Sequence, residues 1–259
     1  MLGLGKPKKT WYWEACGKHP VARDYFKISY NTPVFTAFES WMGKGYAALT
    51  KRRKLDPKVY SWRFWAKGLK KGDLVGGVVR DSSDSIGRPY PLLIIGKGKL
   101  EGWEEAWECL PFYFERTWEQ LEYISSRRLN GFNDFEKDIK SIKRPDNERG
   151  RLYSPEERIN QSQPAFIDEN QAKKTADSLL REMMALIPLS AHDDAQEQAG
   201  YQTGYLAQAG TWSSLLKTYG SGIPNAIFIG GAREKYYLAV FSRPINAEDF
   251  IRLWSVLSP

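Results

Sequence analysis

Cysteine, histidine and long apolar runs are all scarce in this chain of 259 residues. Two cysteines, Cys16 and Cys109, and two histidines, His19 and His192, lack the spacing of a disulfide framework or a zinc site. Lone thiols fit a reducing cytoplasm. No apolar stretch approaches the roughly 20 residues of a membrane helix, and no signal peptide is recognisable at the N-terminus. We therefore expect a cytoplasmic protein without a metal, a cofactor or membrane insertion.

Catalytic motifs are also lacking. His19 follows Cys16 by three residues, but the pair is expected in a tight loop, and no Gly-x-Ser-x-Gly elbow occurs. Residues 3–6 and 96–99 contain glycine and lysine without the spacing or the helix of a phosphate-binding loop. The run His192-Asp193-Asp194 is typical of a solvated loop. The sequence predicts that the chain is not an enzyme, and a hydrolase whose site carries no motif stays open as an alternative.

The net charge of +7 is divided unevenly along the chain. Residues 1–100 carry 20 Lys and Arg against 7 Asp and Glu, whereas residues 101–259 carry 18 against 24. A basic half attracts nucleic acid, phosphate, anionic lipid or acidic proteins, and it also complements the acidic half of the same molecule.

Aromatic residues next to basic ones suggest one alternative function. The basic residues 51–54 and 70–71 flank Trp62-Arg63-Phe64-Trp65, and cations beside stacking aromatic rings hold single-stranded nucleic acid. Alternate residues of a strand face opposite sides, however, so we expect Trp62 and Phe64 to face the core together. A basic single-stranded nucleic-acid-binding module is therefore the alternative and not the leading hypothesis.

Hydrophobic periodicity outlines strands and helices along the chain. Strands are predicted at residues 11–16, 60–65, 74–79, 91–96, 226–229 and 236–241. Helices are predicted after the N-cap Thr32, at 102–126 with a break at Pro111, at 172–186 with an end at Pro188, and at 247–257 after the N-cap Asn246. Residues 130–168 are polar and predict a poorly ordered insertion or a surface excursion. The mixture predicts an α/β or α+β fold with helices on the faces of a mostly antiparallel sheet.

Charges of both signs concentrate at one strand-to-strand corner, residues 78–92. Its sequence, VVRDSSDSIGRPYPL, places aspartates and arginines around a Gly-Arg-Pro turn. A tight hairpin needs only Asn-Gly or Asp-Gly, and Pro89 and Pro91 remove backbone donors from one side. The segment therefore predicts either a rigid ion-paired corner or a surface that recognises something.

Four separated pieces of the sequence form an ordered set. They are Gly17-Lys18-His19-Pro20 with Arg23-Asp24-Tyr25-Phe26, then Phe38-Glu39-Ser40-Trp41-Met42, then Trp62-Arg63-Phe64, and finally residues 83–92. No single piece is specific, but the set at this spacing resembles the TagF (ImpM) family, accessory proteins of the bacterial type VI secretion system. The chain departs from the family pattern at His19, where leucine is usual, at Arg23, and at Arg80-Asp81. Its C-terminal third resembles the family only loosely.

The resemblance implies one domain over residues 1–259. Within it, residues 10–128 carry the motifs, 129–169 form a polar insertion or linker, and 170–259 form a divergent C-terminal part that completes the fold. The implied architecture is a three-layer α/β/α sandwich with a mixed, largely antiparallel sheet and no known catalysis. The implied function is post-translational repression of type VI secretion in the cytoplasm, by contact with proteins of that system and notably with its forkhead-associated scaffold.

Matched motif residues receive candidate roles in partner binding or in an ion-pair network. They are Gly17, Lys18, Asp24, Trp62, Arg63, Asp84, Gly87 and Arg88. Trp62 is expected in the core. The charged residues are expected to join the two motif loops in a buried or half-buried network, a structural role that we favour over direct partner contact.

Overall fold

Eight strands form one sheet whose hydrogen-bonded order is β2-β1-β5-β4-β3-β7-β8-β6. The computed structural model describes residues 11–52, 59–146, 167, 169–190, 201–220, 222–233 and 235–257. The strands are β1 (Tyr12–Gly17), β2 (Phe26–Ile28), β3 (Tyr60–Lys67), β4 (Asp73–Arg80), β5 (Leu92–Lys99), β6 (Met184–Leu189), β7 (Ala226–Ala232) and β8 (Lys235–Phe241). Every pairing in these ranges is antiparallel, so the α/β class is confirmed but the sheet is not mixed.

Six α-helices accompany the sheet in the described ranges. They are α1 (Pro33–Arg52), α2 (Leu110–Ser126), α3 (Phe132–Ser141), α4 (Glu169–Glu182), α5 (Tyr201–Thr218) and α6 (Ala247–Leu253). Thr32 Oγ1 accepts a hydrogen bond from the Phe35 N–H at 3.4 Å, and Asn246 with Asp249 forms a capping box on α6. Both predicted N-caps are confirmed. No helix in the described part has the length and apolar character needed to cross a bilayer.

Apolar side chains cover both faces of the sheet and form two separate core clusters. Trp62 and Phe64 of β3 point to the face that carries α1 and α6, and Phe64 stacks on Phe38 of α1 with ring centroids 5.0 Å apart. Trp65 points to the opposite face, where it meets Trp103 and belongs to the core cluster that includes buried residues of α2 to α5. Alternation along the strand thus places β3 between two apolar layers.

Pro111 does not split a helix. Residues 101–106 form turns, Trp107–Cys109 form a short 3₁₀ segment, and α2 begins at Leu110. Pro111 therefore lies in the first turn of α2, where its missing N–H costs nothing because that position has no intrahelical acceptor.

The helix predicted over residues 172–186 is too long. It ends at Glu182, and Met183 adopts a positive φ of 59° that turns the chain into β6. Pro188 is a strand residue there and not a helix terminator. It is tolerated because β6 lies at the edge of the sheet, where one side of the backbone has no ladder partner in the described part.

The polar stretch 129–169 is more than a bare linker. Its described part includes α3, whose Phe135 and Ile139 are fully buried. Phe135 stacks on His19 with ring centroids 4.7 Å apart and meets Phe26 of β2 edge-on. Residues 147–166 and 168 lie outside the described residues, so the prediction of an insertion stays a prediction for them.

Two helical glycines allow a matched test of the packing of α1 on α6. A Cβ at Gly45 would lie 2.3 Å from the Cβ of Phe250, whereas a Cβ at Gly204 of α5 would meet nothing within 4 Å. Alanine favours a helix over glycine by up to about 1 kcal/mol. We expect Gly204→Ala to raise the free energy of unfolding by up to that amount. Gly45→Ala should lower it by about 1–3 kcal/mol through overpacking. Urea unfolding measures both, and stabilisation by both would contradict the close contact.

Candidate functional site

Two motif loops meet in one ion-pair network. Lys18 Nζ lies 2.9 Å from Asp84 Oδ2, and Arg88 Nε lies 2.7 Å from the same oxygen. Asp24 completes the set, because its carboxylate lies 3.1 Å from Arg88 and 3.9 Å from Lys18. Arg88 also donates to the backbone carbonyl of Arg23 at 2.9 Å. The loop after β1 is thus connected to the loop between β4 and β5, and we call residues 18–25 and 81–91 together the motif corner.

The Asp84 carboxylate is the buried centre of this network. Its side chain is fully inaccessible, and its Oδ1 accepts hydrogen bonds from the backbone N–H groups of Ile86 at 3.2 Å and Arg88 at 2.9 Å. Burial on its own would raise the pKa of Asp84. Hydrogen bonds from Lys18 and from the backbone and side chain of Arg88 outweigh burial and hold the pKa well below its usual range. The carboxylate therefore stays charged and shapes its own loop.

Two motif glycines have conformational roles. Gly17 has a φ of +120°, and a Cβ there would lie 2.0 Å from the carbonyl oxygen of Pro91. Gly87 has a φ of +82° in open space, in the turn that carries the chain from Asp84 to Arg88. A close backbone approach at Gly17 and a left-handed turn at Gly87 both favour glycine.

Asp81 connects the motif corner to the C-terminal part of the chain. Its carboxylate accepts hydrogen bonds from the Tyr60 N–H at 2.8 Å and from Trp254 Nε1 at 2.6 Å. Burial raises the pKa of Asp81, although these hydrogen bonds oppose the rise. From the sequence, Asp81 is identified only as a departure from the family pattern. Nothing in the sequence pairs it with a tryptophan 173 positions away.

Tyrosines pack the corner against α1. Tyr46 donates from its hydroxyl to the Pro89 carbonyl at 3.1 Å, and its ring meets that of Tyr90 edge-on at 5.0 Å. The ring of Tyr25 also meets that of Tyr90 edge-on, with centroids 5.6 Å apart. The corner therefore rests on a helix as well as on its own ion pairs. Ile86 at its tip is 72% exposed and Tyr25 is 41% exposed.

Arg63 does not belong to the network, contrary to the sequence-based expectation. It points to the opposite face of β3 from Trp62 and forms two parallel hydrogen bonds with Glu122 of α2, at 2.7 and 2.6 Å. Burial opposes the charge on Arg63, yet hydrogen bonding to Glu122 and the charge of that residue keep the pKa of Arg63 above its ordinary value. The pair lines a cavity of about 390 Å³ between the sheet, α2 and α5.

The remaining candidates are buried. Trp62, Phe64 and Trp65 have no exposed surface, so they offer no platform on which bases could stack. Burial raises the pKa of the Cys16 thiol to about 12, and burial with the charge of Arg80 lowers the pKa of His19 to about 4. A nucleophilic pair needs a thiolate and an accessible base, and Cys16 with His19 supplies neither. No cluster suited to a metal ion occurs among the residues that the structure describes.

Comparison with known proteins gives one family and one fold. The model of the TagF N-terminal domain, described as type VI secretion system-associated, matches residues 14–143, which include all four motif pieces. No curated protein matches the sequence significantly. The crystal structure of PA0076 from Pseudomonas aeruginosa PAO1, at 2.05 Å resolution, is similar over 96% of each chain, with 18% identity and a TM-score of 0.53. At this identity the likeness concerns the fold.

The lowered pKa of Asp84 predicts a specific acid sensitivity. A carboxylate whose pKa is lower in the folded state stabilises the protein above the unfolded value near 3.9, and that contribution is lost as the pH falls toward the folded value. We expect Asp84→Asn to lower the urea midpoint at pH 6 and to flatten its decline below about pH 4. Asp177→Asn, on the exposed side of α4, is the control and should keep the wild-type profile. An unchanged decline in Asp84→Asn would contradict the role of this carboxylate.

The Arg63–Glu122 pair predicts a strong coupling. Removal of one partner from a buried pair typically costs about 3–5 kcal/mol, whereas replacement of both by apolar residues is often neutral. Glu122→Ala should therefore lower the free energy of unfolding by about that amount, and Arg63→Leu/Glu122→Leu should recover most of the loss. Glu169→Ala, at an exposed position of α4, is the control. A double variant as unstable as the single one would show that the ion pair itself is required.

Proposed function

The chain belongs to the TagF family of type VI secretion system-associated proteins, and we propose that it is a non-enzymatic, post-translational repressor of that system. It acts in the cytoplasm by binding another protein of the system, and the forkhead-associated scaffold is the proposed partner. The observation that carries the proposal is the motif corner. There the charged residues of two motif pieces hold two loops together in one surface.

Rigidity matters because ordering a loop on binding reduces affinity. Asp84 accepts hydrogen bonds and ion pairs from two loops, so the corner has its shape before any partner arrives. The exposed Ile86 at its tip offers an apolar contact next to the charged Arg88, whose side chain is 49% exposed. An exposed apolar residue with a charged neighbour on a fixed backbone fits protein recognition.

The proposal extends to the architecture. We propose that residues 1–259 form a single domain in which α1 with α6, and α2 with α3 to α5, are the outer layers of a three-layer α/β/α sandwich. The two core clusters on opposite faces of the sheet support this arrangement.

A pair of exposed apolar residues at opposite ends of the β3–β4 hairpin tests the contact surface. Ile86, at the motif corner, is 72% exposed, and Leu69, in the turn between β3 and β4, is 68% exposed. Ile86→Asp should weaken binding to the purified scaffold about tenfold or more if Ile86 is an anchor. Leu69→Asp should bind like the wild type. Thermal unfolding should be nearly unchanged in both, since neither side chain is buried.

Secretion assays compare the same two variants in the cell. Deletion of the gene under repressing conditions should raise the killing of competitor bacteria, complementation with Leu69→Asp should restore repression, and Ile86→Asp should not. Unchanged secretion in the deletion strain would contradict the repressor role. Repression without binding to the scaffold would keep the role and contradict the partner.

A further inference from the structure

A second cavity, of about 790 Å³, lies beside the motif corner. Three parts of the chain bound it: the loop that follows β1, the end of β4 with the residues after it, and the end of α2. Its polar lining is rich in guanidinium and hydroxyl groups, from Arg80, Arg127, Arg128, Ser82, Ser83, Ser125 and Ser126. Among the lining residues that the structure describes, Asp81 is the one carboxylate.

The carboxylates nearby are already engaged. Both oxygens of Asp81 accept hydrogen bonds, one from the Tyr60 N–H and the other from Trp254 Nε1. Glu122, whose charge also acts on Arg80, is held by two hydrogen bonds from Arg63. The positive charge that lines the cavity is therefore not neutralised by a salt bridge to either residue.

Arg80 has unused hydrogen-bonding capacity. Its half-buried guanidinium donates to Ser125 Oγ at 3.2 Å, and it forms no salt bridge with any residue that the structure describes. A guanidinium has five N–H donors. A desolvated cation with one neutral acceptor is costly unless an anion approaches it.

Arg127 and Arg128 approach the same space from the end of α2. Arg127 pairs with Asp138, but its Nε is buried and makes no hydrogen bond within the described part of the chain. Arg128 is exposed. Basic residues after a helix often serve only to balance its C-terminal carbonyl groups. That explanation does not extend to Arg80, which reaches the cavity from a strand.

We propose that this cavity binds a phosphate group. The guanidinium groups and the hydroxyls of Ser82 and Ser83 match the several oxygens of a tetrahedral oxyanion, and the arginines supply more donors than a two-oxygen carboxylate would use. The hydroxyls of Ser125 and Ser126 already donate to the Glu122 carbonyl. The group could be supplied as a free phosphate ion or as a phosphorylated side chain, because both present the same oxygens. The inference does not rest on the proposed function.

Calorimetric titration at constant ionic strength tests the site with two probes. One is inorganic phosphate, and the other is phosphothreonine with blocked amino and carboxyl groups. We expect saturable binding with a dissociation constant below about 1 mM. Arg80→Gln and Arg128→Gln should each weaken binding about tenfold, as expected for the loss of a charge-assisted hydrogen bond. Tighter binding of blocked phosphothreonine would identify a phosphorylated side chain as the source, and tighter binding of inorganic phosphate would identify the free ion.

The controls distinguish binding in this cavity from a general attraction of the probes to positive charge. Arg116→Gln removes an exposed arginine of α2 that does not line the cavity, and it should bind both probes like the wild type. Arg128 is exposed, so its variant keeps the test valid even if Arg80→Gln fails to fold. Absence of saturable binding to the wild type, or equal weakening by Arg116→Gln and Arg128→Gln, would overturn the proposal.

Discussion

One buried carboxylate determines the shape of the motif corner. Asp84 has no exposed side-chain surface, and such a charge is tolerated only when cations and N–H donors surround it. Lys18 comes from one loop, whereas Arg88 and two backbone N–H groups come from the other. The need to satisfy one anion therefore fixes two loops that are more than 50 residues apart in sequence.

The sheet explains why the corner lies where it does. Its central strands are apolar on both faces, so helices cover both sides and the strand ends remain as places for polar groups. The ends of β1 and β4 and the start of β5 meet at one such place, because Gly17 pairs with Leu92 and Arg80 also pairs with Leu92. Lys18, Asp24, Asp84 and Arg88 lie beyond these ends, where water and other polar groups are within reach. Arg63 lies within β3 instead, and its buried charge is satisfied by Glu122.

Local patterns were predictable from the sequence, whereas long-range partners were not. Thr32 and Asn246 were identified as N-caps because capping depends on neighbours within three residues. The partner of Arg63 was missed because Glu122 lies 59 positions away, and strand alternation indicates only which face a residue takes. The boundary between α4 and β6 was missed for another reason. Leu186 continues the helical spacing, but the chain changes direction at Met183, which has a positive φ. A methionine in the sequence does not predict that conformation.

The charged residues at this end of the sheet form two groups. In one group the hydrogen bonds are satisfied within the protein, and in the other some donors remain unused. Asp84 is surrounded by donors, so the Lys18 and Arg88 groups that face it are used in holding the fold. Arg80 lies only four positions earlier, but a single serine hydroxyl is its acceptor among the described residues. A satisfied network stabilises a shape, and a half-buried cation with donors to spare favours an anion from outside. Neighbouring charges in one short segment thus have different physical roles, and a motif match by itself does not distinguish them.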